Sequence, residues 1–277
     1  MKMRLWSLLS LAAGYAFLTS ASGLVGGCGG SSSGGSTGTG GTTVMDPEKL
    51  ISDFEDPAAA TVVNAGTPPR NGYWYTYNDD NPKGTDATCV QVPPSGPQLL
   101  PDPPATYVGT APPSSHPGAT GSFALHAKWS GCTVWGAGVG ADLFQPAAAD
   151  GGTYTGPKVA GNVGAYTGIT FWAMAAVDTD THVRLKVPMT AETKVEDGGT
   201  CVESTTSKCS DDWGAQFNMP TDGSWKQFTI KFSDATFKQE GWGKVFPWNP
   251  ADVTSIQFQS TATTEPYDFW IDDVYFF

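Results

Sequence analysis

The run Tyr267-Asp268-Phe269-Trp270-Ile271-Asp272-Asp273-Val274-Tyr275-Phe276-Phe277 decides the fold. Aromatic and β-branched residues fill it and it holds no Gly or Pro, so it reads as a strand. Strand side chains alternate between faces, which sends one of the adjacent acids Asp272 and Asp273 toward each side. An acid in so apolar a strand must be paired, hydrogen-bonded or on a metal, or it costs several kcal/mol. The strand ends the chain given and closes the fold. Its natural partner is near the other end, at Leu50-Ile51-Ser52-Asp53-Phe54-Glu55, which is also apolar and also carries acids.

Working outward, the same pattern recurs. Strands are predicted at Thr61–Val63, Tyr73–Tyr77, Phe123–Trp129, Thr133–Leu143, Gly168–Ala175, His182–Pro188, Gly214–Phe217, Trp225–Phe232 and Val253–Ser260. Clusters of Gly, Pro, Asn and Asp separate them, the signature of a β-sandwich. Two short helical fragments are predicted, at Asp46–Leu50 and at Asn249–Val253, the second with Asn249 as N-cap and Pro250 at the first helical position. Residues 93 to 118 carry nine prolines, which lack the amide donor that a central strand needs, so they read as a surface loop. Residues 145 to 160 are a second loop. No internal repeat is present.

The two end segments carry a resemblance. Asp53-Phe54-Glu55 and Trp270-Ile271-Asp272-Asp273-Val274 resemble the two ends of the galactose-binding-like β-sandwich, a family with many carbohydrate-binding modules. The resemblance covers roughly residues 48 to 277. It implies an all-β, two-sheet antiparallel sandwich of the jelly-roll kind. It also implies a structural calcium held by Glu55 and Asp272, and a carbohydrate ligand.

The first 27 residues read as an address. Lys2 and Arg4 precede an apolar run from Leu5 to Leu18, and small residues follow. This is a secretory signal peptide, too short and wrongly flanked to span a membrane. Its ending, Leu24-Val25-Gly26-Gly27-Cys28, resembles a bacterial lipobox, in which Cys28 takes the lipid; in an ordinary signal peptide Cys28 would be a bystander. Residues 29 to 43 are Gly, Ser and Thr only. They bury too little apolar surface to offset their ordering entropy and form a tether (28–43 with the cysteine) of about 20 Å reach. Residues 44–277 then make one domain on a bacterial membrane, facing the cell surface or the periplasm. The lipid is its only membrane element.

The formal net charge is −12, and more negative once Lys2 and Arg4 leave with the signal. That excludes nucleic acid and anionic lipid surfaces as direct partners. Four cysteines remain after Cys28. An even number in an exported chain predicts two disulfides, most economically Cys201 with Cys209 across a Ser/Thr-rich loop and Cys89 with Cys132. Metal binding by these thiols fits poorly, since there is no CxxC spacing and the chain has only three His.

Aromatic rings in polar surroundings carry the functional reading. In Tyr73-Trp74-Tyr75-Thr76-Tyr77, alternation puts three tyrosines on one face and Trp74 with Thr76 on the other; one face is core. Asn78-Asp79-Asp80-Asn81 follows. The loop Gly241-Trp242-Gly243-Lys244-Val245-Phe246-Pro247-Trp248 holds two more Trp. A sugar site needs rings to stack on the apolar side of a pyranose and carboxylates or amides for its hydroxyls. The candidates are Trp74, Tyr75, Trp242 and Trp248, with Asp79 as a hydroxyl partner. At most one of Trp74 and Tyr75 contributes from the strand. Trp213 sits at a loop-to-strand junction, and Trp135 lies within the strand Thr133-Val134-Trp135-Gly136-Ala137-Gly138-Val139, whose glycines invite close backbone approach; Trp172, Trp225 and Trp270 read as core. No GxSxG, metal-type His spacing or persuasive carboxylate pair points to catalysis, so a catalytic role is not expected. The sequence reads as a membrane-anchored, non-catalytic protein that binds a polysaccharide or other glycan. Beside this stand a structural or adhesive lipoprotein that binds a protein, and a glycan-cleaving enzyme.

Overall fold

The computed structural model describes residues 46–55, 63–79, 88–92, 116–119, 123–144, 157–261 and 264–277. All belong to one compact unit, residues 42 to 277. The signal peptide, Cys28, the tether, Thr61, the turn at 80–81 and most of both long loops lie outside the described residues.

Eleven strands are described: β1 (Leu50–Ser52), β2 (Trp74–Asn78), β3 (Val90–Val92), β4 (Leu125–Ser130), β5 (Ala137–Asp142), β6 (Gly168–Ala175), β7 (His182–Lys186), β8 (Gly214–Asn218), β9 (Lys226–Lys231), β10 (Ser255–Ser260) and β11 (Tyr267–Phe276). They form two antiparallel sheets. The first runs β3-β4-β11-β6-β9, with β1 also on β11; the second runs β2-β5-β10-β7-β8. The chain is thus an all-β, two-sheet sandwich, and its two end strands pair as expected, Leu50 opposite Tyr275 and Ser52 opposite Val274. Neither helical fragment forms. Asp46 and Asn249 cap turns instead, each accepting the amide two residues on (3.1 Å in both cases). Among the described residues the only helical element is a 3₁₀ turn at Val195–Asp197, and no helix is long and apolar enough to cross a membrane. β3 carries none of the long apolar alternation of the other strands and was not predicted.

β11 organises the first sheet. β6 pairs along one edge for almost its full length, from Phe269 to Phe276. The other edge is shared: β4 takes Tyr267 to Ile271 and β1 takes Val274 and Tyr275. The changeover falls at Asp272-Asp273, where the register with β6 shifts and Asp273 has φ of 46°. One extra residue enters the strand there, as in a β-bulge. The core residues record it, since Tyr267, Phe269 and Ile271 face inward on odd numbers but Val274 and Phe276 on even ones. Both acids therefore lie on the outer face. The expectation that they point to opposite sides is corrected: the bulge breaks the alternation between them.

The core between the sheets is aromatic. Phe171 of β6 packs edge-on to Phe217 of β8 at 4.9 Å and to Phe258 of β10 at 5.1 Å. A fully buried Phe contributes about 1.5–3 kcal/mol by leaving water. Both expected disulfides are present, Cys89–Cys132 and Cys201–Cys209. Trp172, Trp225 and Trp270 are not between the sheets. They sit on the outer face of the first sheet: Trp270 stacks on His126 at 4.2 Å, and Trp172 and Trp225 enclose His116. Parity decides this for Trp172 and Trp270, because their neighbours Phe171, Phe269 and Ile271 hold the inward positions.

Candidate functional site

The outer face of the second sheet is a groove of about 1130 Å³. On β2, Trp74, Thr76 and Asn78 point inward, so Tyr75 and Tyr77 point out. They are opposite Gly140 and Gly138 of β5. A Cβ at Gly138 would stand 2.4 Å from the Tyr77 hydroxyl, and one at Gly140 would stand 3.0 Å from that of Tyr75. The two glycines thus let both rings lie across β5 as a low aromatic floor. Gln257 of β10 pins them from beyond: its amide donates to Tyr75 Oη (2.7 Å) and its carbonyl accepts from Tyr77 Oη (3.2 Å). Burial and the nearby Asp142 push the Tyr75 phenol well above its ordinary pKa, so it stays a neutral hydroxyl.

Two exposed tryptophans wall the floor. Trp135 stacks on Tyr77 with ring centres 6.0 Å apart, and 43% of it is exposed. Trp242 is 55% exposed. Their loops are held in the same way. Asp79 is buried, and its Oδ2 accepts the amides of Val134, Trp135 and Gly136 at 2.8 to 3.0 Å. Asp211 is buried and accepts those of Glu240, Gly241 and Gly243 at 2.8 to 3.0 Å. A disulfide half-cystine lies close in sequence to each cradle, Cys132 before Val134 and Cys209 before Asp211. Charge-assisted bonds of this kind fix a loop before any ligand arrives.

Three of the lysines in or beside the groove are paired with acids, while Lys208 and Asp197 also line it. Lys158 Nζ lies 2.5 and 2.7 Å from the Asp142 oxygens and 5.3 Å from the Tyr75 ring centre. Lys186 Nζ lies 2.6 Å from Asp212 Oδ2 and donates to Gln259. Lys194 faces Glu203 at 3.4 Å. Such pairs offer donors and acceptors to hydroxyl groups without a strong net field.

Of the sequence candidates, the structure brings Tyr75 and Trp242 to this groove. Three are corrected. Trp74 is fully buried, lies between Phe54 and Phe258, and donates its indole N–H to Ser52 Oγ at 2.8 Å. Asp79 gives Oδ2 to the amides of the Trp135 loop and its Oδ1 is buried, so the carboxylate is closed to a sugar hydroxyl. Trp248 is half-buried against Phe232 (5.1 Å) and Phe237 (4.9 Å), where it closes the edge of the core with Trp213. Sequence reasoning missed Tyr77, Trp135, Gln257 and Lys186 as site residues. The readable signal was Gly138-x-Gly140, which marks a strand that another group must approach closely.

Glu55 and Asp272, expected to share a calcium, each have one oxygen engaged by an amide: Phe123 N–H to Glu55 (3.0 Å) and Asp273 N–H to Asp272 (2.8 Å). The second oxygen of Asp272 faces the Nε2 of His116 at 3.3 Å. Burial, with Asp273 alongside, raises the Asp272 pKa to about 6 against the pull of His116. Calcium takes six to eight oxygens, so these two carboxylates would need several carbonyls or waters as well.

No family model and no curated protein matches this chain. Among solved structures it is similar to a family 11 carbohydrate-binding module from Clostridium thermocellum, in complex with a beta-1,3-1,4-mixed-linked tetrasaccharide. That match has 14% identity and a TM-score of 0.42, and covers 82% of this chain and 94% of that one. A family 30 carbohydrate-binding module of a Clostridium thermocellum cellulosomal cellulase matches with 12% identity and a TM-score of 0.33, over 61% of this chain and 80% of that one. An exo-beta-agarase matches with 10% identity and a TM-score of 0.37, over 73% of this chain and 24% of that one. At TM-scores below 0.5 these likenesses carry no functional weight. Fold and site together define a β-sandwich protein with an open, aromatic and polar groove on one sheet.

Proposed function

We propose that this chain is a non-catalytic protein that binds a neutral polysaccharide or other glycan in the groove of the second sheet. The observation that carries the reading is the floor of Tyr75 and Tyr77, laid flat over Gly140 and Gly138 and walled by the held rings of Trp135 and Trp242. Flat rings suit the C–H face of a pyranose, and Gln257, Gln259 and the paired lysines and carboxylates suit its hydroxyls. Three of the four lysines that line the groove are matched by acids, which supports a neutral ligand over a polyanion. Asp212 is engaged by Lys186, which supports binding over hydrolysis. We place the domain on a bacterial membrane through lipid on Cys28, with residues 28–43 as its tether.

The test is a glycan array probed with the full chain in detergent, beside Tyr75→Ala and Trp242→Ala. Binding to neutral glycans that falls in both variants is the expected result. Product analysis on every bound glycan should show no cleavage. An array without signal, or signal indifferent to both rings, would sink the proposal. A protein partner is the second reading, favoured by the exposed valines Val195, Val202 and Val245.

A further inference from the structure

On the opposite sheet from the groove, His116 lies over the bulge of β11. Its side chain is 1% exposed. The ring is clamped, parallel to Trp172 at 4.6 Å and edge-on to Trp225 at 5.6 Å. Nδ1 is 3.1 Å from the carbonyl oxygen of Pro117, which can only accept, so Nδ1 carries a proton. Nε2 is buried and makes no hydrogen bond. It faces two carboxylate oxygens, Oδ2 of Asp272 and Oδ2 of Asp273, each at 3.3 Å. The three atoms lie within 4.8 Å of one another.

A neutral ring would aim its Nε2 lone pair at two anions, so a cation belongs among the three groups. It is a second proton or a metal ion. The protein supplies its own comparison. His126 meets Asp268 at 2.6 Å and His182 meets Asp180 at 2.7 Å, the lengths of charge-assisted hydrogen bonds. His116 stays 3.3 Å from both partners. Ligands on a tetrahedral ion with bonds of 2.0–2.1 Å stand about 3.3–3.4 Å apart. The Nδ1–H bond to a backbone carbonyl is the usual outer partner of a metal-bound histidine. The bulge brings two consecutive acids to one face, which regular alternation forbids.

We propose that His116 Nε2, Asp272 and Asp273 form a site for a divalent transition cation of the zinc class, in place of a calcium on Glu55 and Asp272. Imidazole nitrogen suits zinc and its neighbours, whereas calcium prefers an all-oxygen shell. Three protein ligands leave a fourth position for water. The ion would fasten residue 116 and its neighbours to the outer face of the first sheet. The other cluster of candidate ligands among the described residues, Asp79 with Cys89 and Cys132, offers no comparable site, because its sulfurs are joined in a disulfide.

The experiment is calorimetric titration of the metal-stripped full chain with zinc chloride and, separately, calcium chloride. One zinc per chain is expected, with a raised melting temperature. His116→Ala and Asp273→Asn should each weaken zinc by more than about tenfold, and Glu55→Gln should leave it unchanged. Circular dichroism checks that the variants fold. Should they fail to fold, cobalt substituted into the wild type reports the ligand geometry through its visible absorption. No zinc binding would mean that His116 holds the second proton, and would overturn the proposal. So would zinc binding indifferent to His116 and Asp273, octahedral all-oxygen cobalt spectra, or calcium binding that needs Glu55 and Asp272 but not His116. None of these readouts depends on glycan.

Discussion

Trp74 and Tyr75 are neighbours in one strand, and the fold assigns them opposite duties. Trp74→Ala empties a fully buried site between Phe54 and Phe258. Deleting a core Trp costs about 3–5 kcal/mol. The Ser52 hydroxyl also loses its indole partner, worth about 1 kcal/mol more. The sum approaches the whole stability of many domains, about 5–15 kcal/mol. Tyr75→Ala opens onto water, so no closed cavity forms and the stability cost should stay near about 1 kcal/mol, chiefly the lost bond to Gln257. Its effect is on binding: ring stacking of about 0.5–1.5 kcal/mol corresponds to roughly two- to tenfold in affinity. Urea unfolding followed by far-UV circular dichroism gives the first number, and calorimetry with an array-positive glycan gives the second. If Tyr75→Ala costs as much stability as Trp74→Ala and leaves affinity unchanged, the assignment of the outer face as the binding face is wrong.

Asp211→Ala should loosen the Trp242 loop, weakening glycan binding and lowering stability by about 1–3 kcal/mol. Asp211→Asn keeps an acceptor oxygen and should lose less, as paired melts and titrations would show. Glu192 is fully buried, and burial together with nearby Asp212 raises its pKa from 4.5 to about 9. A carboxyl with a raised folded pKa stabilises fully below its unfolded pKa and loses that contribution as pH climbs to the folded one. The melting temperature should therefore fall between about pH 4.5 and 9, with a flatter profile in Glu192→Gln; an unchanged slope counts against the buried neutral carboxyl. Cys28→Ser should move the protein from the membrane to the soluble fraction, and a variant that stays with the membrane places the anchor elsewhere.

Much of the sandwich could be read from local pattern. β6 was bounded to the residue, β11 to within one, and the pairing of the two chain ends followed from their shared apolar-acidic character. The two disulfides followed from the economy of a short loop. The phase break was not legible, because residues of both parities around Asp272 and Asp273 are apolar, with Trp270, Val274 and Phe276 on one and Ile271, Tyr275 and Phe277 on the other. The site was harder. Trp74 and Tyr75 are both apolar and both fit a strand, and nothing local says which of two apolar faces meets the other sheet. Asp79 and Trp248 have the composition of a binding loop, yet a turn acid beside open amides and a ring beside Phe237 are taken up by the protein itself.

Sequence alone determined the strands, because alternation and turn residues act through the backbone of a few consecutive residues. It determined the oxidising chemistry of the cysteines in the same local way. Only the tertiary structure decided which face of β2 became the core, since that depends on the side against which the first sheet packs. Only it brought Trp135 and Trp242, more than a hundred residues apart, to one groove. The meeting of His116 with two acids more than 150 residues away was decided there as well. Burial and long-range pairing are properties of the packed chain, and they selected among side chains that local pattern had left equivalent.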